Sequence, residues 1–125
     1  MERELTILLI DDDVDFVEAT CAVLESVPYR VLVAYNGDQG LAKARAAHPD
    51  LVILDMIMPV KDGFQVLKEL QADPALAHVP VMMLTAMSNG AVTPADAGLV
   101  AAIKDYIDKP IRPSELLQRI EKLLG

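Results

Sequence analysis

The stretch LVILDMIMP (residues 51–59) places Asp55 directly after four consecutive aliphatic residues and ends with a proline. A short apolar run bounded by turn residues is typical of a strand that is buried on both faces of a parallel sheet. The chain opens with a similar pattern, because LTILLI (residues 5–10) runs straight into Asp11, Asp12 and Asp13. The two acidic strand ends raise the question of whether they meet in the folded protein.

Apolar runs alternate along the chain with amphipathic segments whose period is close to 3.6 residues. This alternation predicts a parallel sheet that is covered by helices on both faces. The predicted strands are 5–10, 30–35, 51–54, 80–85 and 105–108, and the predicted helices are 14–26, 38–47, 63–72, roughly 94–102, and 113–124.

Composition limits the classes of function. A chain of 125 residues corresponds to one domain, which we expect to span residues 1–125. The net charge of -8 argues against nucleic acid as a direct partner. No apolar run approaches the about 18 residues of a membrane span, and MERELT does not resemble a secretory signal, so we expect a cytoplasmic protein without membrane contact. The single cysteine, Cys21, excludes an internal disulfide and a cysteine metal cluster.

In an open parallel sheet, ligands bind beyond the carboxyl ends of the strands, where the strand order reverses. If the order is 2-1-3-4-5, Asp11, Asp12 and Asp55 converge on one cavity. Three carboxylates so close repel one another unless a cation is bound, and Mg²⁺ prefers oxygen ligands, so magnesium is the expected cofactor. The alternative is that the acidic run only caps the first helix, a role we expect for Asp13.

Two further polar residues follow the last two predicted strands. Thr85 ends the fourth strand, and Lys109 follows the fifth and precedes Pro110. A hydroxyl group and an ammonium group are suitable partners for phosphoryl oxygens. Asp55 is then a candidate nucleophile that forms an acyl phosphate. Each residue alone is commonly structural, but their joint position at the strand ends indicates a phosphoryl-transfer site.

Residues 5–125 resemble the receiver domain of response regulators in two-component signalling, of the chemotaxis-regulator type. The resemblance implies a single-domain, doubly wound (βα)5 flavodoxin-like fold with a five-stranded parallel sheet of order 2-1-3-4-5. It also implies Mg²⁺ as cofactor and no enzymatic activity beyond self-phosphotransfer and autodephosphorylation. The stretches that carry it are ILLIDDD, LVILDMIMPVKDGFQVL, DPALAHVPVMMLTA and DYIDKPIRPSELL.

By this resemblance, Asp55 is the phosphoacceptor. It receives its phosphoryl group from a histidine kinase, a phosphotransfer protein or a small acyl phosphate. Asp12 is similar to the direct Mg²⁺ ligand and Asp11 to its water-mediated partner, and Ile57 adds a backbone carbonyl to the metal.

The resemblance also assigns switch residues. Thr85 resembles the hydroxyl that turns toward the phosphoryl group, and Lys109 resembles the lysine that pairs with it. The Lys109–Pro110 peptide bond is expected to be cis, and Tyr106 matches the aromatic switch position. The output is then a changed surface that an unknown downstream protein recognises. This surface comprises the predicted elements 94–102, 105–108 and 113–124.

The chain departs from the family pattern between Thr85 and Lys109. This segment is a residue or two longer than usual, and its late Thr93-Pro94 start predicts a shortened helix. Ala102-Ile103 replaces the usual Gly-Ala, and Ile111 replaces a frequent Phe. The departures leave the phosphorylation residues intact and concern the conventional output surface.

Two alternative functions remain open at this point. One is an interaction domain of receiver fold that works without phosphorylation because its atypical segment locks it in one state. The other is an aspartyl-phosphate phosphohydrolase of the dehalogenase type, which has a second acid two residues after the nucleophile. Ile57 occupies that position here and counts against the hydrolase. The chain is either a stand-alone receiver or part of a longer regulator.

Overall fold

The computed structural model describes residues 4–85 and 102–124. Within them lie five strands and four helices, which alternate in the predicted order as far as the gap. The strands are β1 (Leu5–Ile10), β2 (Tyr29–Ala34), β3 (Leu51–Asp55), β4 (Val81–Thr85) and β5 (Ile103–Asp108). The helices are α1 (Val14–Leu24), α2 (Gly37–Ala47), α3 (Gly63–Ala72) and the C-terminal helix (Pro113–Leu124).

All strands are parallel and form one sheet of order β2-β1-β3-β4-β5. The predicted doubly wound fold and its strand order are therefore confirmed. The bounds of β1, α3 and the C-terminal helix coincide with the predicted ones. β5 begins two residues earlier than predicted, because Ile103 is buried and pairs with Val81 before the register shifts. The predicted helix 94–102 lies almost entirely outside the described residues.

The sheet separates two apolar cores. In β3, Val52 and Leu54 belong to the core beneath α2 and α3, whereas Leu51 and Ile53 belong to the core beneath α1 and the C-terminal helix. β1 divides its residues in the same way. Because successive residues of a strand point to opposite faces, a strand covered on both sides must be apolar throughout. This is the physical reason for the continuous run that precedes Asp55.

Each of the first three helices begins with a capping side chain. Asp13 accepts a hydrogen bond from the amide of Phe16, which confirms its predicted capping role. Asn36 caps α2, and Asp62 caps α3 in a reciprocal capping box with Gln65. α1 and α2 begin within four residues of the end of the preceding strand, whereas α3 begins eight residues after Asp55. No helix in the described ranges is both long and apolar enough to cross a membrane.

Candidate functional site

The two acidic strand ends meet at the carboxyl edge of the sheet. β1 pairs with β3, with Ile10 opposite Leu54, so the residues that follow the two strands are neighbours. Carboxylate oxygens of Asp11, Asp12 and Asp55 all lie within 4.8 Å of one another. Asp11 is fully buried and Asp55 is 5% exposed, whereas Asp12 faces solvent. The structure thus brings together the three carboxylates that the sequence predicted to converge.

Lys109 places a cation beside this acidic cluster. Its Nζ lies 2.7 Å from Asp11 Oδ2 and 3.7 Å from Asp55 Oδ2. Burial alone would lower the pKa of Lys109, but the hydrogen bond and charge of Asp11, together with the charge of Asp55, raise it. The ammonium also lies 4.7 Å from the centre of the Phe16 ring, a favourable distance for a cation–π contact. The Lys109–Pro110 peptide bond is cis.

Asp55 has the most strongly perturbed carboxylate of the site. Burial, the charge of Asp11 and a hydrogen bond with Asp11 raise its pKa to about 7. The charge of Lys109 and the amide of Ile57, 3.3 Å from Asp55 Oδ1, oppose this effect only in part. One lysine therefore does not neutralise the two buried carboxylates, and the site carries an excess of negative charge.

This charge and this set of ligand atoms fit Mg²⁺. All the candidate side-chain ligands are carboxylate oxygens, which a hard divalent cation prefers. A bound cation would offset both the burial of Asp55 and its repulsion by Asp11, which raise its pKa. The separate roles of Asp12 as direct ligand, Asp11 as water-mediated ligand and Ile57 as carbonyl ligand stay predictions.

The remaining predicted residues lie around the same edge. Thr85 is the last residue of β4 and immediately follows Leu84, which pairs with Asp55. Its side chain is outside the part that the structure describes. Tyr106 lies in β5 opposite Met83 and is 38% exposed. Their switch roles stay predictions.

Sequence reasoning missed the aromatic neighbour of the lysine. Phe16 lies in the first turn of α1, and with Asp13, Lys109, Pro110 and Ile111 it lines a cavity of about 310 Å³ beside the cluster. Ile111, which departs from the family pattern, is 9% exposed and belongs to the core beneath α1. An apolar residue three positions after a capping aspartate gave no signal of this contact, because such residues usually pack only against the core.

The strand order, with an acidic cluster at its switch point, defines a flavodoxin-like α/β protein. Residues 7–121 match the family model of the response regulator receiver domain, and the chain belongs to this family of two-component signalling domains. The resemblance inferred from the sequence is therefore confirmed.

Similar proteins are found both by sequence and by structure. The chain is 38% identical over 118 residues to the DNA-binding dual master transcriptional regulator RpaA of Synechocystis, covering 94% of this chain and 48% of that protein. It is 36% identical over 118 residues to the DNA-binding response regulator MtrA of Mycobacterium leprae, covering 94% of this chain and 50% of that protein. The chain thus spans about half the length of these curated relatives.

Solved structures show the same fold. The chemotaxis response regulator CheY4 of Vibrio cholerae superposes with a TM-score of 0.83 at 27% identity, covering 97% of this chain and 99% of that one. The N-terminal domain of a response regulator receiver protein from Methanoculleus marisnigri gives a TM-score of 0.74 at 37% identity, covering 96% of both chains.

Proposed function

We propose that the protein is a phosphorylation-dependent signalling receiver in which Asp55 accepts the phosphoryl group. The donor is the phosphohistidine of a histidine kinase or phosphotransfer protein, or a small acyl phosphate. The observation that carries the proposal is the position of Asp55, a buried carboxylate with Asp11 and Asp12 within 4.8 Å and the ammonium of Lys109 at 3.7 Å. Carboxylates that form acyl phosphates need such a charged environment.

The three carboxylates differ in how well they are already stabilised. Asp11 has a 2.7 Å ion pair with Lys109 and accepts a hydrogen bond from the amide of Asp13, and Asp12 is exposed to water. Asp55 has longer contacts to Lys109 and to the amide of Ile57, and its hydrogen bond with Asp11 raises its pKa. A carboxylate that its surroundings stabilise poorly is more basic and therefore the better nucleophile. This difference supports Asp55 as the acceptor.

In the transfer, a carboxylate oxygen of Asp55 forms a bond to phosphorus. The bond from phosphorus to the donor nitrogen or oxygen breaks, and its electron pair leaves with the donor. Lys109 holds a positive charge beside the oxygens where negative charge accumulates. When bound, Mg²⁺ supplies further charge neutralisation for the carboxylates and the phosphoryl group. The protein otherwise contributes alignment, so we propose no enzymatic activity beyond self-phosphotransfer and slow autodephosphorylation.

The new phosphoryl group then biases a two-state equilibrium that involves Thr85 and Tyr106. We propose that the readout surface includes β5 and the C-terminal helix, which are joined by two 2.9 Å hydrogen bonds from Arg119 to Asp105. A downstream protein recognises this surface. The net charge of -8 favours a protein target over direct contact with nucleic acid. The RpaA and MtrA relatives are described as DNA-binding, and both extend well beyond the matched region.

The test is intact-mass measurement after incubation with Mg²⁺ and a small acyl phosphate. We expect one added phosphoryl group that does not form when Mg²⁺ is chelated before the donor is added, and peptide mapping should place it on Asp55. An adduct on another residue would contradict the assignment of the acceptor. No adduct, with Mg²⁺ binding verified and hydrolysis too slow to hide it, would favour the alternative of a phosphorylation-independent interaction domain.

A further inference from the structure

Val60, in the loop between β3 and α3, has an unusual backbone. Its φ is 70°, in the left-handed region that β-branched residues rarely adopt. The amide of Lys61 donates a hydrogen bond to the carbonyl of Pro59 at 2.8 Å, so residues 59–61 form a γ-turn with a positive central φ, the strained form. The Val60 side chain is 99% exposed and packs too little to offset this strain. Contacts of neighbouring residues must therefore maintain the turn.

Lys61 is the last residue of the turn, and its side chain contacts both α2 and α3. Its Nζ lies 3.0 Å from Asp38 Oδ1 in the first turn of α2 and 2.5 Å from Glu69 Oε2 in α3. Its aliphatic stem packs over Gly37, where an added Cβ would lie 3.0 Å from both Cγ and Cδ. The Lys61 side chain is only 24% exposed, whereas the side chains of Asp38 and Glu69 are 76% and 41% exposed. We call the three charged residues Asp38, Lys61 and Glu69 the Lys61 clasp.

The other end of the loop is held by the core. Met56 and Met58 are 7% and 6% exposed, and the amide of Gly63 donates to the carbonyl of Met56 at 2.8 Å. Ile57 lies between the two buried methionines, and its amide lies 3.3 Å from Asp55 Oδ1. The conformation of the loop therefore determines where the Ile57 backbone lies relative to the acidic cluster.

We propose that Lys61 is a positioning residue: the Lys61 clasp holds the strained turn at Val60 and thereby keeps the Ile57 backbone in place beside Asp55. Without the clasp, the turn relaxes to conformations with negative φ at Val60, and the loop moves away from the geometry that binds Mg²⁺. The choice of Mg²⁺ as the probe rests on the proposed function.

The first variant is Lys61→Met, which keeps an aliphatic stem and removes the ammonium. Mg²⁺ is titrated while amide resonances are followed by NMR, and amide hydrogen exchange is measured without metal. We expect the dissociation constant for Mg²⁺ to rise about fivefold, because the competent loop conformation is less populated and the two ion pairs are partly exposed. The Lys61 and Gly63 amides should exchange faster. Lys68→Met, which removes a positive charge from an exposed position of α3, should leave both quantities unchanged.

A double-mutant cycle with Val60→Gly separates positioning from a general structural role. Glycine adopts positive φ without a steric penalty, so the turn no longer needs the clasp. In the Val60→Gly background, Lys61→Met should therefore change the dissociation constant by less than about twofold. The same loss in both backgrounds would overturn the proposal, because Lys61 would then act independently of the turn.

The positioning role of Lys61 and the phosphorylation of Asp55 are tested by different measurements. If Lys61→Met changes neither the Mg²⁺ affinity nor the amide exchange, the positioning role is wrong, even if Asp55 is phosphorylated. If Asp55 accepts no phosphoryl group, the proposed function fails. The exchange rates of the Lys61 and Gly63 amides, compared between the single and double variants, still decide whether the clasp holds the turn.

Discussion

Asp55→Asn should leave the protein without a phosphoryl adduct and make it more stable than the native chain at pH 8 in Mg²⁺-free buffer. Burial and the charge of Asp11 raise the pKa of Asp55 from 3.8 to about 7. Since the folded protein binds this proton more tightly than the unfolded chain, the free energy of unfolding falls as the pH rises from about 4 to about 7. Above that range, the ionised carboxylate costs on the order of 4 kcal/mol.

Asparagine removes this charge but still buries a polar amide, so we expect a net gain of roughly 2 kcal/mol at pH 8. The gain should fall to about zero at pH 5, where the folded protein already carries the proton on Asp55. Urea denaturation of both proteins at pH 8 and pH 5 measures this difference in the free energy of unfolding. Asp15→Asn, which removes an exposed carboxylate in the first turn of α1, should change stability by less than about 0.5 kcal/mol.

The difference in stability between the native chain and Asp55→Asn should also depend on Mg²⁺. The cation should stabilise the native chain because it binds the folded cluster, and it should stabilise Asp55→Asn much less. The difference between the two proteins should then narrow as Mg²⁺ is added at pH 8. A stability difference that is independent of both pH and Mg²⁺ would show that the buried charge of Asp55 does not cause it.

The fold and the carboxylate cluster could be predicted because both follow from rules that act along the strands. A parallel strand buried on both faces is continuously apolar, so the run before Asp55 marks its strand. The carboxyl ends of parallel strands share one edge, so Asp11 and Asp55 meet once β1 and β3 are neighbours. The early start of β5 was missed because its first pair, Val81 with Ile103, precedes a register shift that no local pattern encodes.

The parts of the site that were not predicted depend on contacts between distant segments. A valine in the stretch MPVKDG gives no sign of a positive φ, because left-handed positions are usually occupied by glycine or asparagine. The clasp joins Lys61 to two helices whose relative position only the folded core defines. The contact of Lys109 with Phe16 likewise depends on how α1 packs over the sheet.

Gly63→Ala should be among the most destabilising single substitutions in the chain. Gly63 is the first residue of α3, and an added Cβ would lie 2.5 Å from the carbonyl oxygen of Asp55 and 2.8 Å from Cα of Met56. Both are backbone atoms, so no side-chain rotation relieves the overlap, and β3 and α3 must separate. We expect a loss of about 3 kcal/mol in the free energy of unfolding, and slower phosphorylation because Asp55 itself is displaced.

Gly37→Ala is the matched control for this prediction, because Gly37 is likewise the first residue of its helix and also follows a capping side chain. Its added Cβ would meet side-chain atoms rather than backbone, namely Cγ2 of the buried Val66 at 2.8 Å and the Lys61 stem at 3.0 Å. We therefore expect a smaller cost than for Gly63→Ala, about 1–2 kcal/mol, partly offset by the better helix propensity of alanine. Urea denaturation compares the two variants, because Gly37→Ala also meets the stem of Lys61 and is a control for stability alone. Equal losses would mean that the close approach of α3 to the backbone of Asp55 is not what requires glycine at position 63.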